Sequence, residues 1–163
     1  KQSAISRIPA FSVWSTTVDL GTSATALAEG RTDIALVAGR SAAERSPWWP
    51  EPWHSTSRAA RQAGELAEAR AAAERAIAAD PLDRQGWFLL IEIDQTEDLD
   101  AVGEHLAELR QIDPNGLDLH LNVLRYARAT DDDDLAQQAA AVIEQVIDED
   151  NPRWEEYQTL LSA

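Results

Sequence analysis

Apolar residues along this chain recur every three or four positions. Leu66, Ala69, Ala73, Ala76 and Ile77 step in this way. So do Leu99, Val102, Leu106, Leu109 and Ile112, and Leu135, Ala139, Val142 and Val146. That spacing gathers each set on one face of an α-helix. No stretch alternates for long with the period of two that a half-buried strand shows, so the pattern predicts an all-α chain. Helices are expected over 12–29, 33–45, 51–63, 65–79, 84–96, 99–112, 117–129, 135–148 and 153–161. Turn signals separate them in pairs: Gly30, Gly64, the acidic turn Glu97-Asp98, and residues 130–134. Glycine supplies the left-handed conformation that a helix C-terminus favours. Asp33, Asp98 and Asp133 read as N-caps of the second helices.

Prolines give the pairs a period. Pro47, Pro81, Pro114 and Pro152 each stand just past a helical stretch, separated by 34, 33 and 38 residues. Proline cannot continue a helix and disfavours helical backbone in the residue before it. A hairpin of two helices leaves one apolar face uncovered, and a stacked neighbour covers it. The expected architecture is therefore a right-handed solenoid of antiparallel helical hairpins, about four of them plus a terminal helix. Its units are 12–47, 48–81, 82–114, 115–152 and the terminal helix 153–161, after an N-terminal extension or linker over 1–11. Ala35, Ala42, Ala69, Ala76, Leu106, Leu109 and Val142 are expected in the core.

The second unit resembles a tetratricopeptide repeat. Counting back from Pro81 as the closing proline, Trp53 falls at that motif's first-helix Trp. Gly64, Ala69 and Ala76 fall at its turn Gly and two small packing residues, while Ala73 stands where a larger aromatic is usual. The first unit repeats the pattern with Gly30, Ala35, Ala42 and Pro47; the third lacks the Gly, and the fourth carries an insertion. The resemblance implies a protein-interaction or scaffold module that holds a peptide or a neighbouring domain in a concave groove. The run Ala42–Trp53, with its Pro-aromatic-x-Pro-Glu-Pro linker, is also similar to junctions in the repeat tails of bacterial O-antigen ligase/polymerase-like envelope proteins. That similarity implies an accessory or regulatory tail tethered to a membrane domain outside this chain, with no glycan-transfer chemistry of its own.

Composition narrows the function. The 163 residues carry 14 basic and 29 acidic side chains, a net charge of −15. Residues 1–81 are balanced at nine of each sign, so the whole excess lies in residues 82–163. An ordinary nucleic-acid binder needs clustered Lys and Arg to neutralise phosphates, and none is present. With no Cys there is no disulfide, thiol nucleophile or Cys-ligated zinc. No apolar run reaches the roughly 20 residues of a membrane helix, and no signal peptide is visible. The chain starts at Lys1 and contains no Met, so it is expected to be a processed product or a piece of a longer protein. A cytoplasmic location is expected, at the membrane face if the tethering holds.

Candidate chemistry is sparse. His54, His105 and His120 lie on three separate helices without the convergence a zinc site needs, and read as structural or solvated residues. Asp131–Asp134 lacks the spaced oxygens and turn Gly of a calcium loop, and reads as a solvated loop that caps the next helix. No phosphate loop, nucleophile elbow or His-Glu-x-x-His occurs, so neither enzyme activity, cofactor nor metal is expected. Trp53 is expected to pack inside its hairpin. Trp48 and Trp49, between Pro47 and Pro50, cannot both point inward easily and offer an apolar anchor. The first helices add Arg58, Arg61 and Gln62, then Gln85, Glu92, Gln95, Asp118, His120, Asn122 and Arg125. The expected partner is a protein or peptide segment, basic or of mixed charge, with Trp48, Trp49, Arg58, Arg61, Glu92, Asp118, Asn122 and Arg125 as candidate contacts.

Overall fold

The computed structural model describes residues 10–162, with side chains from Ser15 onward. Most of the expected extension over 1–11 lies outside the described residues; a helix is already present at Ala10. The described residues fold into nine helices and no strand: α1 Ala10–Ala28, α2 Thr32–Arg45, α3 Pro50–Gln62, α4 Leu66–Ala79, α5 Arg84–Asp94, α6 Leu99–Ile112, α7 Leu117–Ala129, α8 Asp133–Ile143 and α9 Trp154–Leu161. The fold class is all-α helical repeat, as the proline spacing predicts.

The turns show why the helices pair. Gly30 and Gly64 adopt φ of +72° and +80°, a left-handed conformation that costs glycine little. Each lets the chain fold back so that the next N–H reaches a carbonyl of the closing helix: Arg31 to Ala26 and Glu65 to Ala60, both at 2.8 Å. In the fourth unit Asp131 takes the same conformation at φ 55°, with Asp132 N–H donating to Ala127 at 2.9 Å. Asp98 caps α6 as expected, its carboxylate accepting from Ala101 N–H at 3.1 Å. The cap of α8 is Asp132 and not Asp133, accepting from Leu135 N–H at 3.0 Å. Asp33 lies in the first turn of α2, whose N-cap position is held by Arg31.

The described residues divide into two compact units, the first ending at Ile93 and the second starting at Asp94. In the first, α2 packs against both α1 and α3, and α3 packs against α4. Ala26, Ala35, Leu36, Ala59, Ala60, Ala69 and Ile93 form its main core, and Ala73, Leu89 and Leu90 a second cluster. Small residues let the helices approach closely. A Cβ at Gly39 of α2 would stand 3.0 Å from the Thr56 hydroxyl of α3. In the second unit, α7 packs against α6, α8 and α9. Tyr157 of α9 is fully buried and donates its hydroxyl to Glu144 at 2.7 Å. Burial and that carboxylate push its pKa up to about 12.

Six of the seven expected core residues are buried; Val142 is half-buried. The buried stripe here is Ala136, Ala139, Ile143 and Ile147, while Val146 is 53% exposed. The helix is rotated by one residue from the expected phase, because adjacent Val142 and Ile143 let either stripe satisfy helical spacing. α8 also ends at Ile143, five residues early. Tight bonds follow it, Val146 N–H to Ile143 at 2.9 Å among them. Acidic Asp148, Glu149 and Asp150 would have lain at the negative end of a longer helix.

Candidate binding surfaces

The aromatic linker joins α2 to α3. Trp48 and Trp49 are 51% and 37% exposed, and Trp49 is the N-cap position of α3. Pro50 starts that helix at a position where the missing N–H costs nothing. Trp53 is half-buried rather than sealed inside its hairpin. Its indole N–H donates to the Pro47 carbonyl at 2.9 Å, and the Arg75 guanidinium lies 5.4 Å from its ring centroid. This pair lines a groove of about 250 Å³ with Thr56, Glu68 and Arg40. Arg40 reaches across from α2 to both Glu68 and Glu65. Its hydrogen bonds hold the Glu68 carboxyl below the usual carboxylate range.

Arg61 and Glu92 pair at 3.0 Å, both about half exposed, linking α3 to α5. Arg58 is half-buried, and its charge acts on Glu51 near the start of the same helix. These candidates, with Trp48 and Trp49, belong to the first unit.

Asp118, Asn122 and Arg125 share one face of α7 in the second unit. Their side chains are engaged locally. Asp118 pairs with Arg153, and Arg125 with Glu156. The Asn122 carbonyl accepts from Arg125 at 3.2 Å and from Gln95 at 3.3 Å. Asn122 and Arg125 line a small cavity of about 130 Å³ with Leu99, Val102 and Tyr126. Three of these bonds join residues 27, 31 and 35 positions apart, which spacing on one helix does not reveal.

All three histidines are tied into structure, and none is a solvated residue. His54 is buried, with Nε2 2.5 Å from Asp83 and Nδ1 3.2 Å from Glu51. His105 Nε2 lies 3.0 Å from the fully buried Asp94. His120, expected on an open face, is buried with Nε2 3.0 Å from the Pro114 carbonyl. Among the described residues no three His, Asp or Glu side chains are placed to hold a metal ion. No described helix is long and apolar enough to cross a membrane.

One apolar surface is visible only in the fold. Ile34 and Val37 of α2 are exposed and line a groove of about 370 Å³, and Val18 of α1 is exposed as well. Their helical spacing marks them as core-like, and only the fold shows that no described residue covers them.

Comparison with known proteins agrees with this geometry. Residues 50–93 match the tetratricopeptide repeat. No curated protein matches the sequence significantly. TTC0263, a thermophilic TPR protein of Thermus thermophilus, superposes with a TM-score of 0.71 at 22% identity, over 90% of this chain and 79% of its own. YrrB, described as a TPR protein with an unusual peptide-binding site, gives 0.71 at 13% identity over 91% and 75%. MamA gives 0.68 at 14% identity over 81% and 73%. The chain thus carries a tetratricopeptide-like helical-repeat fold.

Proposed function

We propose that this chain is a peptide-binding interaction module without catalytic chemistry of its own, and that Trp48 and Trp49 anchor its ligand. The observation that carries the reading is the exposure of two adjacent indoles, 51% and 37%, on a linker stiffened by Pro47 and Pro50. An indole that is already ordered loses little conformational entropy on binding and offers a large apolar face. Arg58, Arg61 and Glu92 give the first unit mixed charge for orienting a segment. Asp118, Asn122 and Arg125 form a second proposed contact face in their own unit. A ligand there must compete with Arg153, Glu156 and Gln95. For that reason the Trp pair is the better primary anchor. Excess carboxylates favour a basic segment and raise its association rate in a salt-dependent way.

Capture from an extract of the source cell, with wild type and W48A/W49A side by side, tests the reading. Both side chains are exposed, so the double variant is expected to keep its melting temperature and lose the captured polypeptide. Equal capture by both proteins would rule out the anchor.

A second reading, attachment to a membrane-embedded glycan-handling domain, rests on the linker resemblance alone. Coding sequence upstream of Lys1 that specifies several membrane spans would support it. A start codon placed directly there would remove it.

A further inference from the structure

The first two hairpins share one register, residue n of the first matching n+34 of the second. Ser23 and Ser57 match, each donating its hydroxyl to the carbonyl of a matched alanine, Ala35 at 2.9 Å and Ala69 at 2.8 Å. Gly30 and Gly64 match at the turns. This register allows the two hairpins to be compared position by position.

On α3, Pro52, Ser55, Thr56 and Ala59 are all buried where α1 and α2 pack against that helix. Their matches on α1 are Val18, Gly21, Thr22 and Thr25, and all four are exposed, Val18 at 62%. A Cβ at Gly21 would meet nothing within 4 Å, whereas Gly39 of α2 is pressed against Thr56. The grooves correspond too. Thr56, Glu68, Ala71 and Ala72 of the second hairpin match Thr22, Ile34, Val37 and Ala38 of the first. The second groove is walled by Arg40 of α2; the first has no such wall among the described residues.

We infer that the α1–α2 face is a docking site for an amphipathic helix of a partner protein, seated as α2 is seated on α3. The register also specifies the chemistry of that helix. Where it lies against α1 it carries small or apolar residues at the spacing of Leu36, Gly39 and Ala43. At the position of Arg40 it carries an apolar residue, because Ile34 replaces the Glu68 that pairs with Arg40. Asp33, exposed at the groove where the second hairpin has Ala67, favours a basic residue at the rim. A second copy of this chain is a poor occupant. The corresponding stripe of its α2 is already buried at home, and that of its α4 has Arg70 where Leu36 stands.

The probe is a capped synthetic peptide of residues 32–45 carrying R40L, lactam-bridged on its outer face to hold it helical in solution. It is titrated into the isotopically labelled full chain and followed by backbone amide shifts. The expected result is saturable shifts confined to α1 and α2. Binding is expected to be about fivefold weaker for the peptide that keeps Arg at position 40, and about tenfold weaker on the V18D chain. V37K serves as a second variant, and both positions are exposed enough to leave the fold intact. Absence of saturation, or binding indifferent to V18D and V37K, overturns the inference. A concentration-dependent dimer that V18D dissociates overturns it in favour of a second copy. Shifts seen only after deletion of residues 1–9 overturn it in favour of the chain's own N-terminal segment.

Discussion

His54 is the residue whose chemistry the fold changes most clearly. Burial alone would lower its pKa, but hydrogen bonding to Asp83 and Glu51 outweighs burial and holds the ring above its ordinary value. Both ring nitrogens face carboxylates, and only the protonated ring donates to both at once. Glu51 is held below the usual range by the His54 hydrogen bond and by Arg58, so it stays ionised near neutrality. Asp83 also accepts from Gln85 N–H and Gly86 N–H at 3.2 and 3.1 Å. The cluster therefore ties α3 to the first turn of α5. Since the folded pKa exceeds the unfolded value of about 6.5, the stabilisation from charging His54 is complete below that value. It is lost as pH rises through the folded pKa. Urea unfolding of wild type and H54Q between pH 6 and 9 should show the largest stability gap at pH 6, narrowing upward. A gap that stays constant or widens with pH would remove the charged pair from the account.

At the scale of the helix and its turn, positive φ decides which substitutions the fold tolerates. Gly64 at +80° accepts no side chain without strain, though nothing crowds it, so G64A is expected to cost about 1 kcal/mol. Asp131 holds the same conformation with a side chain and should respond in the opposite direction. D131G is expected to stabilise by roughly 0.5–1 kcal/mol, read from urea midpoints at constant m. Loss of stability in D131G would mean that the Asp131 side chain supports the turn. The two turns also show where the sequence was legible. Gly30, Gly64 and the four prolines act through their own backbone, so helix ends next to them were readable to within about two residues. The end of α8 has no such marker, and its length and phase differ from those the apolar pattern predicts. The candidate site was harder still. Exposure of Trp48 and Trp49 followed from local crowding between prolines. The engagement of Asp118 by Arg153 depends on a residue 35 positions away and on the rotation of two helices. A one-residue phase error turns each helix by about 100°.

For the molecule as a whole, charge is the dominant asymmetry. Residues 82–163 carry twenty acidic and five basic side chains, while the remainder is neutral. Arg125, Arg128 and Arg153 already pair with Glu156, Asp133 and Asp118. Five cations cannot neutralise twenty carboxylates, so ion pairing leaves most of this half's negative charge in place. Surface pairs contribute about 0–1 kcal/mol each, and salt weakens them. Repulsion among the fifteen surplus charges acts over longer distances, and unfolding relieves it by spreading the charges apart. Screening length falls from about 30 Å at 0.01 M salt to about 10 Å at 0.1 M, so added salt removes the long-range repulsion before it removes contact pairs. The melting temperature should accordingly rise by several degrees between about 0.01 and 0.2 M NaCl, since about 1 kcal/mol corresponds to roughly 2–4 °C for a chain of this size. An unchanged or lower melting temperature would show that contact pairs outweigh the surplus. The same titration discriminates at the binding surface. Capture of a basic segment should weaken over the salt range in which the fold gains stability, and loss of the fold therefore cannot account for that weakening.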